Sequence, residues 1–194
     1  MATQESVVTP QRFSEGFTYA DYIAQIKVNK DRFEQFYQFQ VKPGDAARLK
    51  AVVQNSNGPK KMLVLGEDWC PDVFRGMPML ARVAEAAGLE MRIFPRDTHT
   101  DIMNEFLKEG QWASIPTAVF YTGNHNYICH WIERPAVAEK EILEISAKLR
   151  EENPGMSDQE ILTARRPLIM ERFPAWQQDS VEEIVELLES RVGS

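Results

Sequence analysis

The feature that most constrains this chain is a short apolar run at residues 62–65, followed closely by a segment with helical periodicity. Four consecutive apolar residues are typical of a strand that is buried on both faces of a sheet. Such a sheet needs helices to cover it, and the next segment supplies an apolar helical face. That face is formed by Val73, Met77, Leu80, Ala84 and Ala87.

The same alternation continues along the chain. Residues 89–94, 117–121 and 127–132 have strand patterns, whereas residues 101–108 and 136–150 have helical ones. The turn sequence Thr122-Gly123-Asn124 joins the last two strands into a hairpin. The resulting order, β-α-β-α-β-β-α, predicts an α/β fold with a mixed sheet of about four strands, flanked by helices.

Helical segments precede and follow this core. Residues 19–40 repeat apolar groups at helical spacing, and a second helix is expected from Pro43 to about Gln54. Two further helices are expected within 157–192, each begun by a capping box. We therefore predict a single domain over 1–194. It comprises an N-terminal helical extension (1–58), a core (59–150) and a C-terminal helical extension (151–194).

Composition excludes several classes of function. The net charge of −7 and the pI near 5.1 argue against a nucleic-acid or anionic-membrane partner. No stretch is long and apolar enough to predict a membrane span, and residues 1–20 lack the apolar core of a signal peptide. We expect a cytoplasmic protein. Its two cysteines are too few for a disulfide scaffold, and no metal site is predicted.

Cys70 lies where the first strand gives way to its helix. Unpaired N–H groups and the helix dipole at this position favour the thiolate form of cysteine. The acidic neighbours Glu67, Asp68 and Asp72 favour the thiol. Because these influences oppose one another, the sequence predicts no direction for the pKa of Cys70.

These residues resemble a known family. The run Trp69-Cys70-Pro71-Asp72-Val73 resembles the Trp-Cys-x-x-Cys turn of thioredoxins, and Ser114-Ile115-Pro116-Thr117 resembles their cis-proline segment. The resemblance covers roughly residues 60–150 and implies a thioredoxin-like fold. The helical extensions and Trp131-Ile132-Glu133-Arg134-Pro135 resemble a bacterial and archaeal subfamily that usually bears Trp-Cys-Gly-Asp-Cys.

Two departures from that pattern bear on function. Val73 stands where the family has its second, resolving cysteine, and Val64 stands where it has a buried acid. Dithiol reductase activity is therefore not expected. Cys129 lies in the last strand, and we expect it to be a buried core residue rather than a substitute resolving thiol.

Two functions from different classes remain open. The first is monothiol thiol–disulfide exchange through Cys70, with a protein or small-molecule thiol or disulfide as partner. No cofactor is expected beyond an external thiol such as glutathione. The second is a redox-inactive binding or assembly module. The oligomeric state is not predicted.

The resemblance also implies which residues surround the cysteine. Trp69, Ser114, Ile115 and Pro116 are candidate substrate-binding residues, although Trp69 is equally well explained as packing for the turn. Asp72 and Arg134 are candidate supporting residues. Their ordinary explanations are an acid at a helix N-terminus and a surface ion pair, respectively.

Overall fold

The computed structural model describes residues 6–192, so residues 1–5 and 193–194 of the predicted extensions lie outside the described part of the chain. A single 3-10 turn, Arg96–Thr98, follows the second strand. The helices and strands, in chain order, are α1 (Pro10–Ser14), α2 (Tyr19–Gln25), α3 (Lys30–Phe36), α4 (Pro43–Gln54), β1 (Pro59–Gly66), α5 (Pro71–Ala87), β2 (Glu90–Pro95), α6 (Thr100–Met103), β3 (Thr117–Thr122), β4 (Tyr127–Ile132), α7 (Ala136–Glu152) and α8 (Asp158–Val192).

The four strands form one sheet in the order β2-β1-β3-β4. β1 pairs parallel to β2 and antiparallel to β3, and β4 pairs antiparallel to β3. At the centre of the sheet, Val64 lies opposite Ile93 on one side and Ala118 on the other. The predicted fold class, a mixed four-stranded sheet flanked by helices, is confirmed.

The described chain divides into two compact units. One runs to Glu133 and resumes at Ile184, and it contains the whole sheet; the other comprises Arg134–Glu183. Within the second unit, Trp176 packs with Ala138 and Ile142, and its indole N–H donates a hydrogen bond to Glu141. The single-domain organisation over 1–194 stays a prediction.

Helix α5 extends from Pro71 to Ala87 for reasons that are visible in its sequence. Proline suits the first helical position because its missing N–H would have no partner there. Gly88 ends the helix with a φ of 76°, a backbone conformation that glycine adopts without steric cost. The helix buries Val73, Met77 and Leu80, as predicted.

The helix predicted within residues 19–40 is in fact two helices. The chain leaves the helical conformation at Ile26, and Asn29 has a φ of 58° before α3 begins. Phe36 of α3 stacks on Phe74 of α5 with ring centroids 6.3 Å apart, so this extension packs against the core helix. At the break, residues 27–29 contact the turn that carries Cys70, as described below.

Two other helical predictions are corrected. The helix expected at 101–108 ends at Met103, because the following residues form tight i→i+3 backbone bonds. The two helices expected within 157–192 are one continuous helix, α8, which contains Pro167 and Pro174. A proline removes one hydrogen bond and bends a helix without having to end it.

The two predicted capping boxes have different outcomes. Ser157 and Glu160 exchange the expected bonds, with Ser157 N–H donating to the Glu160 carboxylate at 2.8 Å. Ser180 lies inside α8, where its hydroxyl donates to the carbonyl of Trp176 at 2.7 Å. The second box is therefore wrong, because no helix begins there.

Candidate thiol site

Cys70 is the N-cap residue of α5, with extended backbone angles (φ −82°, ψ 124°). Its carbonyl oxygen accepts from the backbone N–H groups of Val73 and Phe74, both at 3.1 Å. These bonds fix the turn between β1 and α5 and place the Cys70 side chain just after the end of β1. The sequence predicted this placement.

The sulfur of Cys70 faces the segment before β3. It lies 4.0 Å from the carbonyl oxygen of Ile115, and the Ile115–Pro116 peptide bond is cis. Gly76, on the inward face of α5, packs closely on Pro116, because a Cβ there would lie 3.0 Å from Cγ of Pro116. The fold therefore brings together Cys70 and Pro116, two residues that the sequence analysis placed in one site.

Ser114 and Ile115 complete this segment. Ser114 is half-buried; its N–H donates to the carbonyl of Trp112 at 2.8 Å, and its own carbonyl accepts from the hydroxyl of Thr117 at 2.7 Å. The side chain of Ile115 is buried, and its carbonyl faces Cys70. The backbone groups of Ser114 are thus bonded within the loop itself.

The balance of influences on Cys70 favours the thiol. Burial raises the pKa of Cys70 and is the largest effect, and the carboxylate of Asp72 raises it further. Hydrogen bonds from the backbone N–H groups of Val73 and Asp72, and the positive charge of Arg96, lower this pKa to a smaller extent. The net shift in the pKa is upward, so the helix N-terminus does not activate this thiol by itself.

Position 73 holds no thiol, and the second cysteine, Cys129, lies in the last strand of the sheet, β4. Val73 is fully buried, and its Cγ1 would lie 2.9 Å from a Cβ built on Gly66. Cys129 is only 3% exposed, as predicted, and burial raises its pKa to about 12. It lies opposite Phe120 on the outer strand β4, and both cysteines are free.

Trp69 is half exposed and rests on two residues that follow β2. Its indole N–H donates to Asp97 at 3.3 Å, and the guanidinium of Arg96 lies 5.1 Å from the centre of its ring. With 49% of its surface exposed, the indole presents one side to solvent beside the cysteine. The geometry is compatible with both explanations of Trp69, as a packing residue and as a substrate platform.

Sequence reasoning missed Arg96 and Asp97. Asp97 N–H donates to the carboxylate of Glu67 at 2.7 Å, and burial raises the pKa of that carboxyl group. The position of Arg96 and Asp97 directly after a strand that runs parallel to β1 was the available signal. Parallel strands end at the same edge of a sheet, so residues that follow β2 lie near those that follow β1.

The N-terminal extension is tied to the turn through Asp68. The carboxylate of Asp68 accepts from the backbone N–H groups of Lys27 and Val28, at 2.8 and 3.3 Å, and its carbonyl accepts from the side chain of Asn29 at 2.8 Å. These bonds occupy backbone groups that a continuous helix would have used internally. They therefore account for the break between α2 and α3.

Replacing Asp68 by Ala is expected to lower the free energy of unfolding by about 1–2 kcal/mol, because two backbone donors lose a charged acceptor. Urea denaturation followed by circular dichroism measures the change. Asp31→Ala, which removes an exposed acid from the first turn of α3, is the control and should cost about 0.5 kcal/mol or less. Equal losses in the two variants would contradict the assignment.

The two candidate supporting residues occupy different surroundings. The carboxylate of Asp72 lies 3.9 Å from the guanidinium of Arg75, one turn further along α5. Arg134 is the first residue of the second compact unit, so its place in the site stays a prediction from the sequence. Among residues 6–192, no group of three or more His, Cys, Asp or Glu side chains is placed to hold a metal ion.

Comparison with known proteins decides the family. A family model described as thioredoxin matches residues 16–150. The chain belongs to the thioredoxin family. The match includes α2, α3 and α4, so most of the N-terminal extension is part of the family pattern in this thioredoxin-like protein. No curated protein matches the chain.

Two solved structures share the fold of this thioredoxin-like chain. One is a protein of unknown function from Pseudomonas aeruginosa, with 15% identity and a TM-score of 0.68 over 95% of this chain and 99% of that one. The other is an HIV epitope scaffold, with 15% identity and a TM-score of 0.66 over 96% and 99%. At this identity the likeness concerns the fold alone. Within the described residues, no helix has both the length and the apolarity that crossing a membrane requires.

Proposed function

We propose that this thioredoxin-like protein carries out thiol–disulfide exchange through a single cysteine, Cys70. The observation that carries the proposal is the position of the Cys70 sulfur at the start of α5, half-buried and facing the segment that contains Pro116. The resemblance of the helical extensions and of residues 131–135 supports a place in the subfamily that usually bears Trp-Cys-Gly-Asp-Cys.

The proposed reaction has two exchange steps. Cys70 first loses its proton to solvent, and its thiolate attacks one sulfur of a substrate disulfide. A bond forms between Cys70 and that sulfur, and the other substrate sulfur leaves as a thiolate that takes a proton from water. An external thiolate, such as that of glutathione, then attacks the mixed disulfide and releases Cys70. Each step breaks one sulfur–sulfur bond and forms another.

Burial of the sulfur determines how this site would differ from a dithiol reductase. A thiol with a raised pKa is deprotonated in a smaller fraction of molecules at neutral pH, so the first step is slow. A sulfur with a raised pKa is also a poorer leaving group, so the mixed disulfide is slow to break. Without a resolving cysteine at position 73, the protein would hold its partner covalently until an external thiol arrives.

Partners of this chemistry are protein or small-molecule thiols and disulfides. The proposal places the protein in the cytoplasm, where a reducing thiol pool supplies the second step. The net charge of −7 gives no support to a nucleic-acid partner. Trp69, Ser114, Ile115 and Pro116 would line the bound substrate, with Asp72 and Arg134 as supporting residues.

The second candidate is a redox-inactive binding or assembly module. Two observations favour it: burial raises the pKa of Cys70, and Val73, at the position that the resemblance assigns to the resolving cysteine, is a fully buried core residue. In such a module the residues around Cys70 would bind a partner without a covalent bond. Cys70→Ser would then leave binding of that partner unchanged.

Formation of a mixed disulfide with glutathione disulfide, followed by mass spectrometry of the intact protein, tests the proposal. We expect one glutathione adduct on the wild type and on Cys129→Ala, and none on Cys70→Ala. The rate should rise steadily from pH 7 to 9, because the thiolate fraction grows with pH below the pKa. Absence of an adduct on Cys70 at pH 9 would overturn the proposal and favour the module.

A further inference from the structure

Arg96, which follows β2, connects the two segments that flank the Cys70 sulfur. Its Nε and Nη2 both donate to Oδ1 of Asp97, at 2.9 and 2.6 Å. Its Nη1 donates to the carbonyl of Ala113 at 3.2 Å. Ala113 precedes the segment that carries Pro116. The bond therefore fixes the loop that leads into the segment facing the Cys70 sulfur.

The side chain of Arg96 also contacts Trp69, the residue that precedes Cys70. The guanidinium lies over the indole ring at 5.1 Å, and Oδ2 of Asp97 accepts from the indole N–H. Asp97 is fixed in turn by its own N–H, which donates to Glu67. One arginine thus joins the turn before α5, the end of β2 and the loop before β3.

The charge of Arg96 also acts on the sulfur. Arg96 lowers the pKa of Cys70 and opposes part of the effect of burial, which is larger. Other charged and titratable groups around the sulfur and its turn come from several elements: Asp72 on α5, Glu67 and Asp68 in the turn, Asp97 after β2, and Tyr22 on α2. Against the four carboxylates in this set, Arg96 contributes a positive charge.

All three guanidinium nitrogens donate within the site, and the group lies over an indole, so it is held in place rather than offered to a ligand. We propose that Arg96 is a positioning residue for Cys70: it fixes Trp69 and the Ala113 loop on either side of the sulfur. The proposal deepens the proposed function and rests on it for its biological meaning. Lysine would keep the charge but lose the planar fork that makes several bonds at once.

Two readouts separate the roles of charge and geometry. Alkylation of Cys70 by iodoacetamide against pH, in a Cys129→Ala background, reports the thiolate. Acrylamide quenching of fluorescence, in a Trp112→Phe background, reports the exposure of Trp69, because Trp131 and Trp176 are 4% and 2% exposed. The variants are Arg96→Gln, Arg96→Lys and the control Arg92→Gln.

For Arg96→Gln we expect the midpoint of alkylation to move upward by about 0.5–1 pH unit and Trp69 quenching to increase. Arg96→Lys should keep the midpoint within about 0.2 pH units of the wild type, because the charge remains, yet show the same increase in quenching. The control removes a similarly exposed arginine from β2, where it pairs locally with Glu90 at 2.9 Å. It should change neither readout.

An unchanged midpoint in Arg96→Gln, or an unchanged Trp69 signal in both Arg96 variants, would overturn the proposal, as would the same shift in Arg92→Gln. If Arg96→Gln does not fold, the acrylamide quenching of Trp69 in Arg96→Lys tests the proposal. Neither readout needs disulfide exchange. Failure of the proposed function, seen as no glutathione adduct, is therefore distinguishable from failure of the assignment to Arg96.

Discussion

Replacing Val73 by Cys is expected to give this protein disulfide reductase activity at least about tenfold above that of the wild type. Position 73 lies one helical turn from Cys70, and its backbone N–H donates to the Cys70 carbonyl. A thiol placed there attacks the mixed disulfide within the molecule, which raises its effective concentration well above that of a dissolved thiol. Reduction of a protein disulfide, with dithiothreitol as electron donor, measures the gain.

Packing allows this substitution. The Val73 side chain is buried beside Gly66 and Met77, and cysteine is smaller than valine, so no clash is introduced. We expect a partial gain, because Val64, which stands where the resemblance places the family's buried acid, supplies no proton acceptor. Val73→Ser is the matched control and should stay at the wild-type rate, as should Val73→Cys combined with Cys70→Ser. A Val73→Cys variant that remains at the wild-type rate would show that the residues around Cys70 do not support exchange.

Much of the core could be predicted from the sequence because its signals are local. Residues 62–65 form a continuous apolar run that is typical of a strand buried on both faces, and they lie within β1. Thr122-Gly123-Asn124 marked the hairpin between β3 and β4. Pro43 marked the start of α4, because proline suits the first turn of a helix. In each case, neighbouring residues determine the structure.

The missed break between α2 and α3, and the parts of the site that were missed, arose where distant residues decide. The break between α2 and α3 depends on Asp68, which lies 41 residues after Lys27 and binds its N–H. The network around Trp69 joins Glu67, Arg96 and Ala113, which no spacing rule connects. The direction of the pKa of Cys70 depends on its burial, which only the folded chain determines. The sequence thus located the thiol but left its surroundings and reactivity open.

Gly76→Val is expected to disturb both the stability and the chemistry of the site. A glycine inside a helix costs about 1 kcal/mol relative to alanine, so its presence in the middle of α5 calls for a packing reason. That reason is the ring of Pro116, whose Cγ would lie 3.0 Å from a Cβ at position 76. Valine adds two methyl groups beyond that Cβ, and the ring must move away from α5 to accommodate them.

We expect the free energy of unfolding of Gly76→Val to fall by about 2–3 kcal/mol, the usual cost of overpacking a core. Displacement of Pro116 also moves the Ile115 carbonyl away from the Cys70 sulfur, so the rate of Cys70 alkylation at pH 8 should change with it. Gly44→Val is the control, because a Cβ added to this helical glycine in α4 would meet no atom within 4 Å. It should cost less than about 1 kcal/mol and leave alkylation unchanged. Equal stability and equal alkylation in the two variants would mean that the contact between Gly76 and Pro116 does not determine the position of the segment that faces Cys70.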